Sequence, residues 1–453
     1  MKAGLIRLLP TIATIMIASS AHAKGVIDVH SHIITPEFVS ALEKESRLMD
    51  EGFPLPAWNS SSQLKWMDEA GIAVSVLSMP APQPKSASAV RAFNESAARL
   101  KSEHPDRFLF CAALPLPDVN EAIEEARYAL DVLGADGIKL ATNIDGQYLG
   151  APELDPLFSF LNERKAVVIL HPHRPEPVNM QVMRQTPLAM QEYLSETTRA
   201  VANMISRNVL ARYSDIKVVI PHCGAYLPLM VPRMKSLTPV MQTNGLVGEI
   251  DWDANLAALY YDLAGAHSPE IIRMLLTVTT PDHLLYGSDY PYVAPQVLTA
   301  GLQRMRNYLT DEADLAPFKE MILYKNAQWL FGQMTEKPQA KPQENIMVRI
   351  AEIEVCPELL AEYLEFANEV DRASMEREPG VLCLFPMQSE ENPCLIRILE
   401  IYASESAYQK HLKTDHFLKY KQGTLHMVKS LNLAPMQPLD RAAMQQIFAK
   451  IKR

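Results

Sequence analysis

Short runs of consecutive apolar residues, many of them β-branched, recur at 26–30, 73–78, 108–114, 137–141, 167–171, 217–222, 259–263 and 283–289. A run that is apolar at every position suits a strand covered on both faces, as strands of parallel sheets are. Between the runs, apolar positions return every three to four residues, which predicts helices over 62–70, 90–103, 119–133 and 152–164. Eight strands alternating with helices predict an α/β fold whose strands close into a TIM (β/α)8 barrel. A doubly wound open sheet is the alternative. It would carry a glycine-rich loop after the first strand, where Val29-His30-Ser31-His32 stands instead.

The rhythm changes after 336–345, a polar stretch with Pro338 and Pro342 that reads as a linker. Beyond it, 347–355 alternates as a strand and 358–377 is an amphipathic helix. A hairpin over 381–388 and 394–402, helices over 405–411 and 417–423, and a strand over 427–433 follow. That order predicts a small α+β ferredoxin-like domain. Expected boundaries are 24–335 for the barrel and 346–440 for the second domain, with a helical tail over 441–453. At the other end, Lys2 and Arg7 precede an apolar run over 8–18 and then Ala21-His22-Ala23, which reads as a signal peptide over 1–23. The run is shorter than the ~20 residues a bilayer span needs, so a cleaved leader is favoured over an N-terminal anchor. The expected location of the mature chain is periplasmic or secreted.

Length agrees with two domains: the chain has 453 residues. Apolar residues at 48% and charged residues at 21% exclude a disordered or multi-span membrane protein. A net charge of −10 with no basic stripe excludes nucleic acid as a partner. The five cysteines, Cys111, Cys223, Cys356, Cys383 and Cys394, are odd in number and form no CxxC pair. They predict neither a disulfide framework nor a cysteine-built zinc site.

The chemistry lies at the strand ends. His30 and His32 alternate along the first strand, so both imidazoles point the same way. Alone, such a pair is as readily two unliganded strand histidines. His171 closes the fifth strand, His222 the sixth and Asp289 the eighth, and barrel enzymes draw their functional groups from these ends. His30, His32, His171 and Asp289 then offer three nitrogens and one oxygen to a single ion, and His222 stands beside it as acid or base.

These residues sit in motifs that resemble the amidohydrolase-related metalloenzymes that include aminocarboxymuconate semialdehyde decarboxylase. The matching pieces are Ile27-Asp28-Val29-His30-Ser31-His32, Met67-Asp68-Glu69-Ala70-Gly71-Ile72, His171-Pro172, His222-Cys223-Gly224-Ala225-Tyr226-Leu227-Pro228, Arg233 and Tyr286-Gly287-Ser288-Asp289-Tyr290-Pro291. The resemblance implies one divalent metal ion, zinc by preference, on His30, His32, His171 and Asp289, with His222 and Asp289 as catalytic residues. It gives Arg233 a substrate carboxylate, reached from a neighbouring subunit. The family's second carboxylate-binding arginine has no match, because Arg47 lies on a helical pattern. Some members replace the first histidine of the pair by Glu, and this chain does not. Lys139 ends the fourth strand and faces into the barrel by alternation. It is read as a contact to an anionic substrate or a neighbouring acid, in preference to a carbamylated bridge to a second ion with His171 and His222.

The second domain resembles the antibiotic biosynthesis monooxygenases through Arg377-Glu378-Pro379-Gly380-Val381-Leu382, the stretch 397–405, and His411-Leu412-Lys413-Thr414-Asp415-His416-Phe417. His411 and His416 line a cavity or pack a helix turn. The domain is read first as a dimerisation unit and second as a quinol oxygenase. The expected activity is metal-dependent decarboxylation of an unsaturated or aromatic carboxylic acid by a homodimer or larger homo-oligomer without a membrane partner. The alternatives are hydrolysis of a lactone, amide or ester, a bifunctional decarboxylase–monooxygenase, and a non-catalytic assembly protein, against which the complete donor set argues.

Overall fold

The computed structural model describes residues 25–179, 181, 186–338 and 346–437. The expected leader, most of the expected linker and the expected tail over 441–453 lie outside these residues.

Eight parallel strands follow the chain: β1 (Val26–His32), β2 (Ile72–Ser78), β3 (Phe108–Ala113), β4 (Gly137–Ala141), β5 (Val167–His171), β6 (Lys217–Ile220), β7 (Leu259–Asp262) and β8 (Leu284–Leu285). Each pairs with its sequence neighbour, so the sheet order is the chain order. The segment after β8 returns to β1. The Val29 N–H donates to the Tyr286 carbonyl at 3.0 Å, Asp289 N–H to His30 at 2.8 Å, and His32 N–H to Tyr290 at 2.8 Å. Fully buried Asp28 fastens this seam, accepting the Ser288 N–H at 3.0 Å and the Ser288 hydroxyl at 2.6 Å. The ring is a TIM-like barrel.

Alternation sorts the strand residues into two layers. Ile27, Val29, Val167, Ile169 and Val219 fill the barrel, while Val168, Leu170, Val218 and Leu284 face the helices with Phe38, Phe93 and Phe110. On that parity Lys139 and His171 point inward, as the sequence predicts. Two strands stop short of expectation. β6 ends at Ile220 because Pro221 has no N–H for the ladder. β8 keeps two residues because His283 sits in a short helical turn and 286–290 bonds to β1 instead. The helix expected over 152–164 is a 3-10 turn, Pro152–Leu154, followed by Asp155–Glu163.

Residues 346–437 form the second unit: β9 (Met347–Val355), the helix Leu360–Arg377, β10 (Val381–Gln388), β11 (Leu395–Tyr402), the helices Glu405–His411 and Asp415–Thr424, and β12 (Val428–Met436). The antiparallel sheet runs β10-β11-β9-β12, the ferredoxin-like order. Ala351, Ile353, Val355, Ile396 and Ile398 pack against Tyr363 and Ala367 of the long helix. Among the described residues, no helix is long and apolar enough to cross a membrane.

Candidate active site

The C-terminal rim of the barrel gathers the residues picked out in the sequence. The candidate ligand atoms of His30, His32, His171 and Asp289 all lie within 4.8 Å of one another. His30 Nε2 is 3.2 Å from His32 Nε2, and Asp289 Oδ1 is 3.5 Å from the former and 3.3 Å from the latter. These separations are close to those of donors sharing one tetrahedral ion with bonds of ~2.0–2.2 Å.

What turns the three imidazoles toward one point is the set of acceptors behind them. His30 Nδ1 donates to Asp262 Oδ2 at 2.8 Å, and His171 Nδ1 to the Pro172 carbonyl at 2.9 Å. Ser78 Oγ lies 3.2 Å from the Ser31 carbonyl and 3.0 Å from His32 Nδ1. Its single hydroxyl proton goes to the carbonyl, which can only accept, so His32 Nδ1 donates to Ser78. Each Nδ1 therefore carries a proton, and each Nε2 is the nitrogen turned toward the common centre.

The local field suits a cation. Burial pushes His32 down to about 4, against the pull of Asp289. Burial, then the neighbouring His32, His30 and His222, drive His171 well below its ordinary value. Burial opposes charge on His30 too, but Asp262 and Asp289 outweigh it and raise that imidazole to about 9. Burial likewise resists the Asp289 carboxylate, and its bonds to His222 and His32 hold it well below the usual range. The cluster thus combines two neutral imidazoles and an anionic carboxylate with a preference for one positive charge. A borderline divalent ion on three imidazole nitrogens and one carboxylate matches that demand.

His222 and Asp289 reach the centre from strained backbone, with φ of 54° and 64°. Left-handed conformations in non-glycine residues cost about 1–3 kcal/mol each. The bonds from Asp289 N–H to His30 O, and from His222 N–H to Asp262 Oδ1 at 3.1 Å, hold them there. His222 Nε2 lies 3.7 Å from Asp289 Oδ2, and its Nδ1 is buried without a hydrogen-bond partner. Gly287 is required by close approach, since a Cβ there would lie 2.8 Å from His30 Cβ and 3.1 Å from Asp262 Cβ.

A cavity of about 540 Å³ opens over His171, His222 and Asp289, with apolar walls that include Phe53, Met190 and Met274. No lysine or arginine is among the described residues that line it. Lys139 is fully buried and not part of that lining; it lies 3.1 Å from His173 Nε2 and 3.4 Å from Gln83 Oε1, both of which line a neighbouring pocket, and burial lowers its amine to about 7. Arg233 lies exposed on the helix Leu227–Thr243, outside the lining of this cavity. Arg47 is tied to Asp50 and to the Gln83 carbonyl, both at 2.7 Å. Sequence reading missed Asp262 and Ser78, whose only signal was a polar residue closing an apolar strand.

Comparison with known proteins agrees with this geometry. The amidohydrolase family model matches residues 27–333, and the antibiotic biosynthesis monooxygenase model matches 346–423. A decarboxylase of Aspergillus niger is 34% identical over 301 residues, covering 62% of this chain and 81% of that protein. A 6-methylsalicylic acid decarboxylase of Penicillium expansum is 31% identical over 277 residues, 58% of this chain and 84% of that one. The crystal structure of an amidohydrolase II superposes with a TM-score of 0.61 at 30% identity, covering 68% of this chain and 99% of that one. Sequence and fold agree across the whole barrel, and this chain is an enzyme of the amidohydrolase family, with an antibiotic biosynthesis monooxygenase domain fused behind it.

Proposed function

We propose that the barrel is a metal-dependent decarboxylase of an aromatic carboxylic acid, a phenolic acid with a small alkyl substituent being the class that fits its walls best. The observation that carries this reading is the convergence of three Nδ1-anchored imidazoles and Asp289 at the floor of a largely apolar cavity. The relatives named for decarboxylation of 6-methylsalicylic acid support it. His30, His32, His171 and Asp289 are the residues that would hold the ion. When bound, the ion supplies Lewis acidity at a substrate oxygen. Zinc suits the donor set, with manganese the second choice.

The chain's own residues manage the proton. Release of CO₂ replaces a carbon–carboxylate bond by a carbon–hydrogen bond, so each turnover consumes one proton. His222, set beside the anionic Asp289 in the cavity, holds that proton and delivers it to the ring carbon that bears the carboxylate. The electron pair of the breaking C–C bond then returns to the ring as CO₂ leaves. The apolar walls exclude water from the dearomatised ring. Lys139 orders His173 and Gln83, which line a second, more polar pocket beside the site.

Arg233 is proposed to serve the neighbouring subunit. It shares its helix with exposed Leu229, Met230, Leu237 and Val240, an apolar face that a second copy would cover. Exposed Phe385 and Met387 on β10, with Leu431 and Leu433 on β12, support pairing of the second domain as well. A cavity of about 40 Å³ beside Tyr402 and His411 in that domain is too small to hold a quinol. Residues 1–23 are proposed to direct export, and N-terminal sequencing of the natively produced protein should then begin at Lys24.

The deciding experiment offers metal-reconstituted protein a panel of hydroxybenzoic acids, and separately lactones, esters and amides. CO₂ release that disappears with the metal and with His222→Asn supports decarboxylation. Turnover of a lactone, ester or amide with no CO₂ from any acid moves the reading to hydrolysis.

A further inference from the structure

Besides the barrel cluster, one other group of metal-ligating side chains converges among the described residues: Glu378, His411 and His416 in the second domain. We infer that these three residues form a second, independent site for a divalent transition-metal ion.

The local structure assembles them from three elements. Glu378 caps the helix Leu360–Arg377, its N–H donating to the Ser374 carbonyl at 3.0 Å. Two residues on, a Cβ at Gly380 would lie 2.6 Å from Ala407 Cβ. Glycine there lets the helix Glu405–His411 lie against the turn that carries Glu378. His411 is the last residue of that helix. The Thr414 hydroxyl then donates to the His411 carbonyl at 2.8 Å and accepts the Phe417 N–H at 3.4 Å, which folds the chain back into the helix Asp415–Thr424. His416, in its first turn, returns to the side of His411.

As a result, His411 Nδ1 and His416 Nε2 stand 2.9 Å and 2.6 Å from the same carboxylate oxygen, Glu378 Oε1. The three donor atoms lie within 4.8 Å of one another. Burial opposes charge on Glu378, but the two imidazoles outweigh it and hold the carboxyl below its ordinary value, so the anionic donor is available at neutral pH. Binding an ion exchanges two N–H···O bonds for two nitrogen bonds and one oxygen bond to the same centre. At metal–ligand lengths of ~2.0–2.2 Å the imidazole nitrogens need to part from the carboxylate oxygen by about 0.4–1.0 Å from their present spacing.

Two imidazoles and one carboxylate are a donor set for zinc, ferrous iron, cobalt or nickel rather than for calcium or magnesium, which take oxygen cages. Three protein donors also leave coordination positions open. His411 is itself part of the lining of the small cavity, beside Asp371, Tyr402 and Tyr420. An ion on this triad would therefore border an interior space rather than close a purely structural knot.

The test is metal stoichiometry on full-length protein without a polyhistidine tag, stripped and then dialysed against cobalt(II). Wild type should hold two ions per chain by elemental analysis. Glu378→Gln, which keeps an acceptor for both imidazoles and so preserves the fold, and His416→Ala should each hold one, with at least a tenfold weaker second affinity and unchanged turnover in the barrel. His32→Ala should also hold one ion, but retain the cobalt absorption lost in Glu378→Gln, which separates this site from the barrel site. One ion in wild type overturns the inference if His32→Ala removes it. Two ions that persist in both Glu378→Gln and His416→Ala overturn it as well, and place the second ion elsewhere.

Discussion

Asp262→Asn tests how the candidate centre is oriented, because the surroundings dictate which way the new amide must face. Asp262 Oδ1 accepts two buried backbone N–H groups, from His222 at 3.1 Å and Ala264 at 3.0 Å, while Oδ2 accepts from His30 Nδ1 at 2.8 Å. In Asp262→Asn the amide oxygen must stay with the two N–H donors, since the reverse would set an NH₂ group against both. The NH₂ then faces His30 Nδ1 and requires a lone pair there. The imidazole proton moves to Nε2, the nitrogen turned toward His32 and Asp289, and His30 is no longer in its ligating form. Loss of such an outer partner weakens metal binding by about 10- to 100-fold, or ~1.4–2.8 kcal/mol. The metal-free fold should barely notice, because all three hydrogen bonds survive. Asp262→Ala differs: it leaves two buried N–H groups bare at about 1–3 kcal/mol each. Competition with a chromophoric chelator gives the affinity, and calorimetry of stripped protein gives the stability. Affinity of Asp262→Asn within threefold of wild type would refute the tautomer reasoning.

Four further outcomes are expected. His222→Asn should lower kcat by about 10²–10⁴ while metal content stays at the wild-type level, and a loss under threefold removes His222 from proton transfer. Gly287→Ala should displace His30 and Asp262, costing about 1–3 kcal/mol of stability and most of the bound metal; full metal occupancy contradicts the close packing drawn from its 2.8 Å contact. Leu229→Lys should shift sedimentation toward smaller species if the face it shares with Arg233 joins subunits, and an unchanged profile rules that face out. Asp371 is raised from 3.8 to about 7, by burial first and by Glu400 second, with its Oδ2 unpartnered. A raised carboxyl gives stability at pH 4 that is lost as pH climbs through 7. Asp371→Asn should therefore be more stable than wild type by about 1–2 kcal/mol at pH 8 and equal to it near pH 4; the same gain at both pH values dismisses the titration.

Much of the barrel is legible in the sequence because its strands are buried on both faces and so are written as unbroken apolar runs. Parity along those runs correctly turns Lys139 and His171 inward. The donor set is legible because each member closes a strand. What one sequence does not carry is the partner of each donor. Asp262 looks like any polar strand end, and its role exists only once the barrel closes and its side chain meets His30 on β1 and the His222 N–H after β6. Left-handed backbone at His222 and Asp289 is equally silent, because it is imposed by bonds to residues far along the chain rather than by a local glycine. In the second domain the two histidines are visible, but Glu378, 33 and 38 residues upstream, joins them only through the packing of Gly380 on Ala407.

The seam between β1 and the segment after β8 has a temporal consequence. Asp28 and Ser288, which fasten it, stand 260 residues apart, and three of the four candidate ligands, His30, His32 and Asp289, lie on its two sides. No partial barrel can present that set. A chain emerging from the ribosome therefore lacks the full donor set until its first and last strands meet. On the proposed metal-dependent reading, an ion held by these donors would be acquired as the closing event of barrel assembly, and the metal supply where the chain folds would select it together with the donor atoms.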